Sequence, residues 1–361
     1  MTKRLSIIVP TYNMEAYLAR CVKSVLRTPS LASVEVIIVN DGSRDRSLRI
    51  ARELADRYAS TVRVIDKPNG NYGSTINAAL PLAQGEYVKI LDADDEFDGR
   101  RLAELLAVLQ RLSGVDMVVT PYIDKGRRTE RRVDYSLYSR KVYDYEKVYE
   151  AERVFADGAI RFFAMHGVTY RTALLREMHY VQSEGISYTD QEWVFYPLFR
   201  VRTIAFADIP IYIYNTAREG QTMDAKVQIR QISQLVQLTE KMARYYIAAV
   251  RRMQQPERRD FLCGLVAGRM RVLYRKYLLD MPREIFASSD FAAVDARMMQ
   301  LARLCGIEHL QVPVNNLLKV DLLGYWHRTR RRYSTTTLAL LRTAEAVMQW
   351  AHALLFRKKR A

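Results

Sequence analysis

Three aspartates fall within four residues, Asp92, Asp94 and Asp95, directly after the strand-like run Tyr87-Val88-Lys89-Ile90-Leu91. Like charges packed this closely in a partly buried crevice repel one another unless a cation neutralises them. Mg2+ and Mn2+ take carboxylate oxygens and leave coordination positions open for phosphate oxygens. The competing explanation is a solvated turn, or the N-cap of a helix running from Arg100, because Asp is favoured at helix starts. Three more polar clusters bear on the choice. Pro10-Thr11-Tyr12-Asn13 follows the first apolar run, Asn40-Asp41-Gly42-Ser43 follows the second, and Lys67-Pro68-Asn69-Gly70-Asn71-Tyr72-Gly73 leads into a helix. In an open parallel sheet, ligands bind in the crevice beyond the carboxyl ends of the strands. If those runs are parallel strands, four polar loops meet at one edge, and the cation reading gains over the cap.

The elements that must position these loops alternate regularly. Leu5–Val9, Val34–Val39, Val62–Ile65, Glu86–Leu91 and Val115–Thr120 read as strands. Between them Glu15–Arg27, Arg46–Tyr58, Ser74–Ala83 and Arg101–Leu112 carry apolar residues at helical spacing. Such alternation predicts an α/β fold with a mostly parallel sheet covered by helices on both faces. Lys125–Glu152, rich in Arg, Tyr and Asp, reads as a loop and hairpin region. Phe162–Glu177 and Glu192–Arg200 read as helices, and Thr203–Ile213 as one or two strands. After Thr222 the pattern changes to long amphipathic helices: Val227–Met253, Arg258–Leu279 and Phe291–Leu304. The reading is a catalytic domain over 1–223, with halves 1–120 and 121–223, then a helical region over 224–361.

A net charge of +16 and a pI near 9.7 imply a polyanionic neighbour: nucleic acid, an anionic membrane or phosphate-bearing substrates. No zinc-finger or RNP signature is present, so nucleic acid is not expected. From Asp321 onward nine Arg or Lys face two acids. Arg328 to Arg332 and Arg357 to Arg360 bracket an amphipathic run, Thr337–Phe356, which fits an anionic lipid surface or a helix packed on the domain with a solvated tail. Three scattered cysteines without CxxC give neither a disulfide framework nor a zinc site, and suit a reducing compartment. The apolar N-terminal run is too short for a signal peptide, and no stretch is long enough to span a bilayer. The expected location is the cytoplasm, or the inner face of the cell membrane as a peripheral protein. The first turn lacks the GxGxxG of a dinucleotide-binding dehydrogenase, and there is no P-loop.

In order and spacing, Ser6 to Asn13, Glu35 to Ser43, Asn69 to Leu80 and Leu91 to Asp95 resemble the successive signatures of family 2 glycosyltransferases with the GT-A fold. The resemblance covers residues 4–120 strongly and 160–223 weakly. It implies inverting transfer from a nucleoside-diphosphate sugar, a UDP-sugar above all, to a glycan, lipid-linked or cell-envelope polymer acceptor. Asp92-Ala93-Asp94 matches the family's DxD motif, implying that Asp92 and Asp94 hold Mn2+ or Mg2+ on the donor diphosphate and contact the ribose. Asp41 matches the residue that hydrogen-bonds the nucleobase, with Pro10, Thr11 and Tyr12 in the same pocket. In the third loop the usual Arg is Ile76; Asn71 and Gly73 fall in the donor-contacting stretch, and Lys67 offers a nearby positive charge. Thr189-Asp190-Gln191-Glu192 resembles the segment that supplies the general base. Asp190 takes that position, with Glu192 a neighbouring candidate and an N-cap role as the bland reading of Asp190. Arg218, in Tyr214–Thr222, resembles a residue of a loop that folds over the donor phosphates. His166 is left outside the core site. A sugar-nucleotide nucleotidyltransferase or an inactive GT-A nucleotide-binding module is the alternative.

Overall fold

The first two strands, β1 (Leu5–Thr11) and β2 (Val34–Asp41), are buried along their whole length. Their apolar runs are continuous, not alternating, because a parallel sheet is covered on both faces. The computed structural model describes residues 3–127, 129–135, 143–216, 229, 231–314 and 320–357. It falls into two compact units, Met1–Glu219 with Met253–Leu262, and Gly220–Arg252 with Cys263–Ala361.

In the first unit the remaining strands are β3 (Val62–Lys67), β4 (Tyr87–Ile90), β5 (Glu96–Phe97), β6 (Met117–Val119), β7 (Tyr122–Lys125), β8 (Glu130–Val133), β9 (Val148–Glu150), β10 (Val168–Arg171), β11 (Thr203–Phe206) and β12 (Tyr212–Asn215). An eight-stranded sheet has the order β3-β2-β1-β4-β10-β6-β11-β9, and a four-stranded one the order β5-β12-β7-β8. Strands β1 to β4 are mutually parallel where they pair, with Thr11 level with Asn40 and Ile8 with Ile90. That register puts the loops after β1, β2 and β4 at one edge. Helices α1 (Leu18–Leu26), α2 (Ser47–Arg57), α3 (Asn71–Ala79) and α4 (Gly99–Arg111) follow β1, β2, β3 and β5. Leu18, Val22 and Val25 of α1 and Leu102, Leu105 and Leu109 of α4 pack with Ile7, Val9 and Ile38 in one core.

The segment read as a helix over 162–177 is different. It forms β10, which enters the sheet antiparallel between β4 and β6 and is followed by the short α6 (Thr172–Glu177). Val168-Thr169-Tyr170 is β-branched and aromatic, so a four-residue buried strand prevails over a helical spacing that its flanks only imitate. Asp116 clips this arrangement together. Its carboxylate accepts from Arg171 Nε at 3.0 Å and Nη2 at 2.7 Å, and from Arg202 N at 2.8 Å.

The described part of the second unit is mainly helical, with Ile232–Val250, Phe291–Leu304, Leu322–Thr329 and Thr335–Arg357 its principal helices. Buried Asp295 accepts from Tyr274 Oη at 2.8 Å, Trp326 Nε1 at 2.9 Å and His327 Nε2 at 3.1 Å. Arg332 donates to the Leu278 and Leu279 carbonyls, and Arg342 also donates to Leu279. Burial, with Arg342 beside it, lowers the Arg332 guanidinium to about 10. Two arginines of the basic C-terminal stretch are thus spent inside the unit, whereas Arg328, Arg330 and Arg331 stay exposed. Among the described residues no helix is long and apolar enough to cross a membrane.

Candidate active site

The edge opens with a corner built around Asp41. Its carboxylate is 2% exposed, and Oδ1 accepts from Lys67 Nζ at 2.8 Å, Gly70 N at 2.9 Å and Ser74 Oγ at 3.2 Å. Lys67 spends its other donors on Pro68 O at 2.6 Å and Ser74 Oγ at 2.8 Å. Lys67 therefore neutralises Asp41 and is not an unengaged cation for phosphate. Gly42 is left-handed at φ +69°, and a Cβ there would sit 2.9 Å from Asn69 N, so only glycine lets the two loops close. Pro10 and Thr11 are buried at the end of β1, and Tyr12 is exposed beside them. Asn71 starts α3 with φ 65°. Gly73 is pressed onto backbone: a Cβ would lie 2.0 Å from Ser183 O, so its role is close packing of α3 on residues 182–183.

Next along the edge stands the acidic cluster. Asp92 Oδ1 accepts from Tyr72 Oη at 2.9 Å, and Asp92 N donates to Tyr212 Oη at 3.2 Å. Asp95, 1% exposed, accepts from Tyr212 Oη at 2.7 Å and Asn215 N at 2.7 Å. The Asp94 carbonyl receives Arg20 Nη2 at 2.9 Å and Asn215 Nδ2 at 3.1 Å, and Ala93 is buried between its neighbours. None of the three caps α4. That role belongs to Asp98, whose Oδ1 accepts from Arg100 N at 3.0 Å and Arg101 N at 3.2 Å.

Because β10 runs antiparallel to β4, its start lies at the same edge and delivers His166. One ligand atom each from Asp92, Asp95 and His166 lie within 4.8 Å of one another. The imidazole is wedged between Tyr122, Tyr212 and Tyr214, with centroids 4.9, 4.8 and 4.3 Å away. Lys89, wholly buried under the cluster, donates to His166 O at 2.7 Å and Val168 O at 3.0 Å, fixing this turn. Burial, and then the Lys89 charge, lower the imidazole to about 3, so the ring is neutral. Among the described residues its buried Nδ1 has no hydrogen-bond partner. A neutral imidazole with an unsatisfied nitrogen beside two carboxylates is a donor set that fits a divalent ion, Mn2+ better than Mg2+ by ligand type. Burial raises both carboxyls well above their ordinary range; Asp94 adds to this at Asp92, and Asp92 and Asp94 add to it at Asp95.

Asp190 begins the short helix α7 (Asp190–Phe195), and Thr189 occupies the cap position without a side-chain cap bond. Asp190 is thus the first helical residue and not the N-cap. Its charge reaches the cluster, raising both Tyr72 and Asp92. Glu192 faces the other way into the protein. It is fully buried and accepts from Ser183 N at 2.6 Å, Ser183 Oγ at 2.6 Å and Tyr196 Oη at 3.0 Å. Arg218 lies outside the described residues. Tyr72, Tyr212 and Lys89 are the site residues that sequence reasoning passed over, and His166 the one it set aside. Of these only Tyr72, inside the Gly- and Asn-rich loop, had a local signal.

A sheet with parallel strands β1 to β4, carrying a carboxylate cluster at their carboxyl edge, defines a GT-A fold. Residues 6–178 match glycosyl transferase family 2, and this part of the chain belongs to that family. EpsH of Bacillus subtilis strain 168 is 29% identical over 219 residues, 59% of this chain and 61% of EpsH, so the chain spans less than two thirds of that relative. Among solved structures, Staphylococcus aureus TarS 1–349 in complex with UDP-GlcNAc is 20% identical, with a TM-score of 0.52 over 83% of this chain and 89% of that one. The Pyrobaculum calidifontis mannosyltransferase PcManGT in complex with GDP-Man and Mn2+ is 16% identical, with a TM-score of 0.50 over 84% and 81%. At these identities the likeness is one of fold.

The cluster sets a pH dependence. Asp92 and Asp95 hold protons to higher pH folded than unfolded, where carboxyls titrate near 4. The folded state therefore binds more protons, and stability of the metal-free protein falls as pH rises from about 4 toward neutrality and above. Thermal unfolding in EDTA should show a lower Tm at pH 8 than at pH 5.5. Mn2+ should restore it at pH 8, and Asp92→Asn should flatten the slope. A pH-independent Tm in wild type would contradict the electrostatic reading of the cluster.

Proposed function

We propose that the chain is an inverting, divalent-metal-assisted glycosyltransferase that moves a sugar from a nucleoside diphosphate, most simply UDP, to a hydroxyl of a glycan, lipid-linked or cell-envelope polymer acceptor. The observation that carries the reading is the convergence at one sheet edge of the Asp41 corner, the Asp92–Asp95–His166 cluster and Asp190. Family membership supports it, as do neighbours of the same fold whose complexes contain UDP-GlcNAc, GDP-Man and Mn2+.

In this mechanism Asp41, held by Lys67, Gly70 and Ser74, orients the nucleobase, with Pro10, Thr11 and Tyr12 lining the pocket. Asp92 and Asp94 would hold the ion, with His166 beside Asp92, and Asp95 braces the turn through Tyr212 and Asn215. A bound Mn2+ or Mg2+ supplies positive charge for the departing diphosphate. Asp190 accepts the acceptor hydroxyl's proton as that oxygen attacks C1 from the face opposite the leaving group. The C1–O bond to the diphosphate breaks, and the diphosphate leaves with the electron pair. Arg218 adds charge toward the phosphates. Exposed Arg328, Arg330 and Arg331, with the terminal basic run, hold the protein at an anionic membrane surface, each contributing about 1 kcal/mol.

Two measurements check this. Calorimetry with UDP should show binding that EDTA abolishes and Asp94→Ala weakens severely. Asp190→Asn should keep UDP affinity and lose roughly two to four orders of magnitude in transfer. EDTA-resistant UDP binding removes the metal from the account, and full activity in Asp190→Asn removes the base. For the membrane contact, co-sedimentation with phosphatidylserine vesicles should fall in salt and in the charge-reversed Arg328→Glu/Arg331→Glu protein. Equal sedimentation with neutral vesicles would refute it.

A further inference from the structure

Helix α3 opens with Asn71-Tyr72-Gly73-Ser74-Thr75, and this turn, with Gly70 before it, touches both chemical parts of the sheet edge. Gly70 N and Ser74 Oγ hold Asp41 Oδ1, at 2.9 and 3.2 Å. Tyr72 serves the acidic cluster instead. Its Oη donates to Asp92 Oδ1 at 2.9 Å and lies 3.7 Å from Met165 Sδ. Met165 directly precedes His166, so the phenol reaches from α3 to both segments that deliver candidate ion ligands. Neither the proton transfer to Asp190 nor nucleobase binding employs it.

The backbone around Tyr72 has little freedom. Asn71 before it is left-handed at φ 65°. Gly73 after it is pressed onto Ser183 O, where a Cβ would lie 2.0 Å away. Thr75 Oγ1 donates to the Tyr72 carbonyl at 2.6 Å. The hydroxyl is therefore carried on a fixed arm, already ordered before any ligand arrives.

That hydroxyl has one proton, and a carboxylate accepts it far better than a thioether does. The bond distinguishes the two carboxylates beside His166. Asp95 has both oxygens engaged, Oδ1 with Asn215 N and Oδ2 with Tyr212 Oη, each at 2.7 Å. Asp92 has Oδ1 engaged by Tyr72, and among the described residues its Oδ2 has no hydrogen-bond partner. Its backbone is anchored too, with Asp92 N on Tyr212 Oη at 3.2 Å. Hydrogen bonds of this kind fix the orientation of metal-ligating side chains, and losing one costs about 10–100-fold in metal affinity or activity.

We propose that Tyr72 is the positioning residue of the cation site: its hydroxyl holds Asp92 Oδ1, leaves Oδ2 for a divalent ion, and ties the ion's place to the turn that builds the Asp41 corner. The proposal rests on the metal-assisted reading above and adds to it a residue from outside the Asp92–Asp95 stretch.

The test titrates UDP by calorimetry into wild type, Tyr72→Phe and Met165→Leu at a series of MnCl2 concentrations, well below the Tm of each protein. Two quantities come from each: the Mn2+ concentration that half-restores UDP binding, and the UDP affinity at saturating Mn2+. Tyr72→Phe keeps the ring and loses only the hydroxyl. It should raise the half-effective Mn2+ concentration by about tenfold or more and leave the saturated UDP affinity near wild type. Met165→Leu alters the packing of the same ring, keeps the hydroxyl, and should change neither. A wild-type Mn2+ requirement in Tyr72→Phe overturns the proposal. So does a loss of UDP affinity that saturating Mn2+ does not recover, the mark of a purely structural role, and so does an equal shift in Met165→Leu. Wild-type UDP binding that ignores Mn2+ refutes the metal reading, and absence of UDP binding refutes the glycosyltransferase reading; either result takes this proposal with it.

Discussion

Mutual repulsion among carboxylates gathered at the end of buried strands is the constraint around which the catalytic unit is arranged. Asp92, Asp94 and Asp95 leave β4 together, and the charge of Asp190 acts on the same space. Without a cation, burial keeps Asp92 and Asp95 protonated well above the normal carboxylate range. The surroundings temper the repulsion with donors but do not cancel it. Tyr72 and Tyr212 donate hydroxyls, Asn215 donates its backbone N–H, and Arg20 sits on the Asp94 carbonyl. Lys89 is the one buried cation beneath the cluster among the described residues, and it is turned onto the His166 and Val168 carbonyls, with no carboxylate among its hydrogen-bond partners. What remains is an acidic pocket with a neutral imidazole at its side, a donor set that fits a divalent ion.

The two chemical ends of the edge are mechanically joined. Helix α3 carries the Asp41 corner at its start, and Asn77 near its end exchanges two hydrogen bonds with the Gln182 backbone, at 3.0 and 2.9 Å. Gly73 lets the same helix touch Ser183, and Ser183 is in turn gripped through N and Oγ by Glu192 of α7. Asp190 stands at the head of α7, so the proposed base is tied through Ser183 to the helix that starts at the Asp41 corner. This gives Glu192 its place: a carboxylate saturated with three buried donors orients a helix and is unsuited to accept a substrate proton.

Much of this was legible in the sequence. Strand runs of Val and Ile ending in Thr11, Asp41 and Asp92 fixed the parallel half of the sheet, because continuous apolar runs and polar strand ends are local signals. The register that brings Lys67 onto Asp41 was not, and Lys67 consequently read as a nearby positive charge for the donor. His166 was set outside the core site for a related reason. Its position depends on β10 entering antiparallel beside β4, a long-range pairing that a helix-like apolar spacing over 162–177 concealed. The C-terminal charges show the same limit: Arg332 and Arg342 count as basic tail in the sequence, yet fold back onto the Leu278 and Leu279 carbonyls.

The central claim, that the carboxylate edge is built around a divalent ion carrying a nucleoside diphosphate, is open to a direct test by diffraction. Crystals soaked in MnCl2 and UDP, measured on both sides of the manganese absorption edge, should give one strong anomalous peak beside Asp92 and Asp94, within coordinating reach of His166 and the UDP phosphates. UDP bound at the Asp41 corner with no anomalous peak at the acidic cluster, or a peak remote from Asp92, would contradict the account.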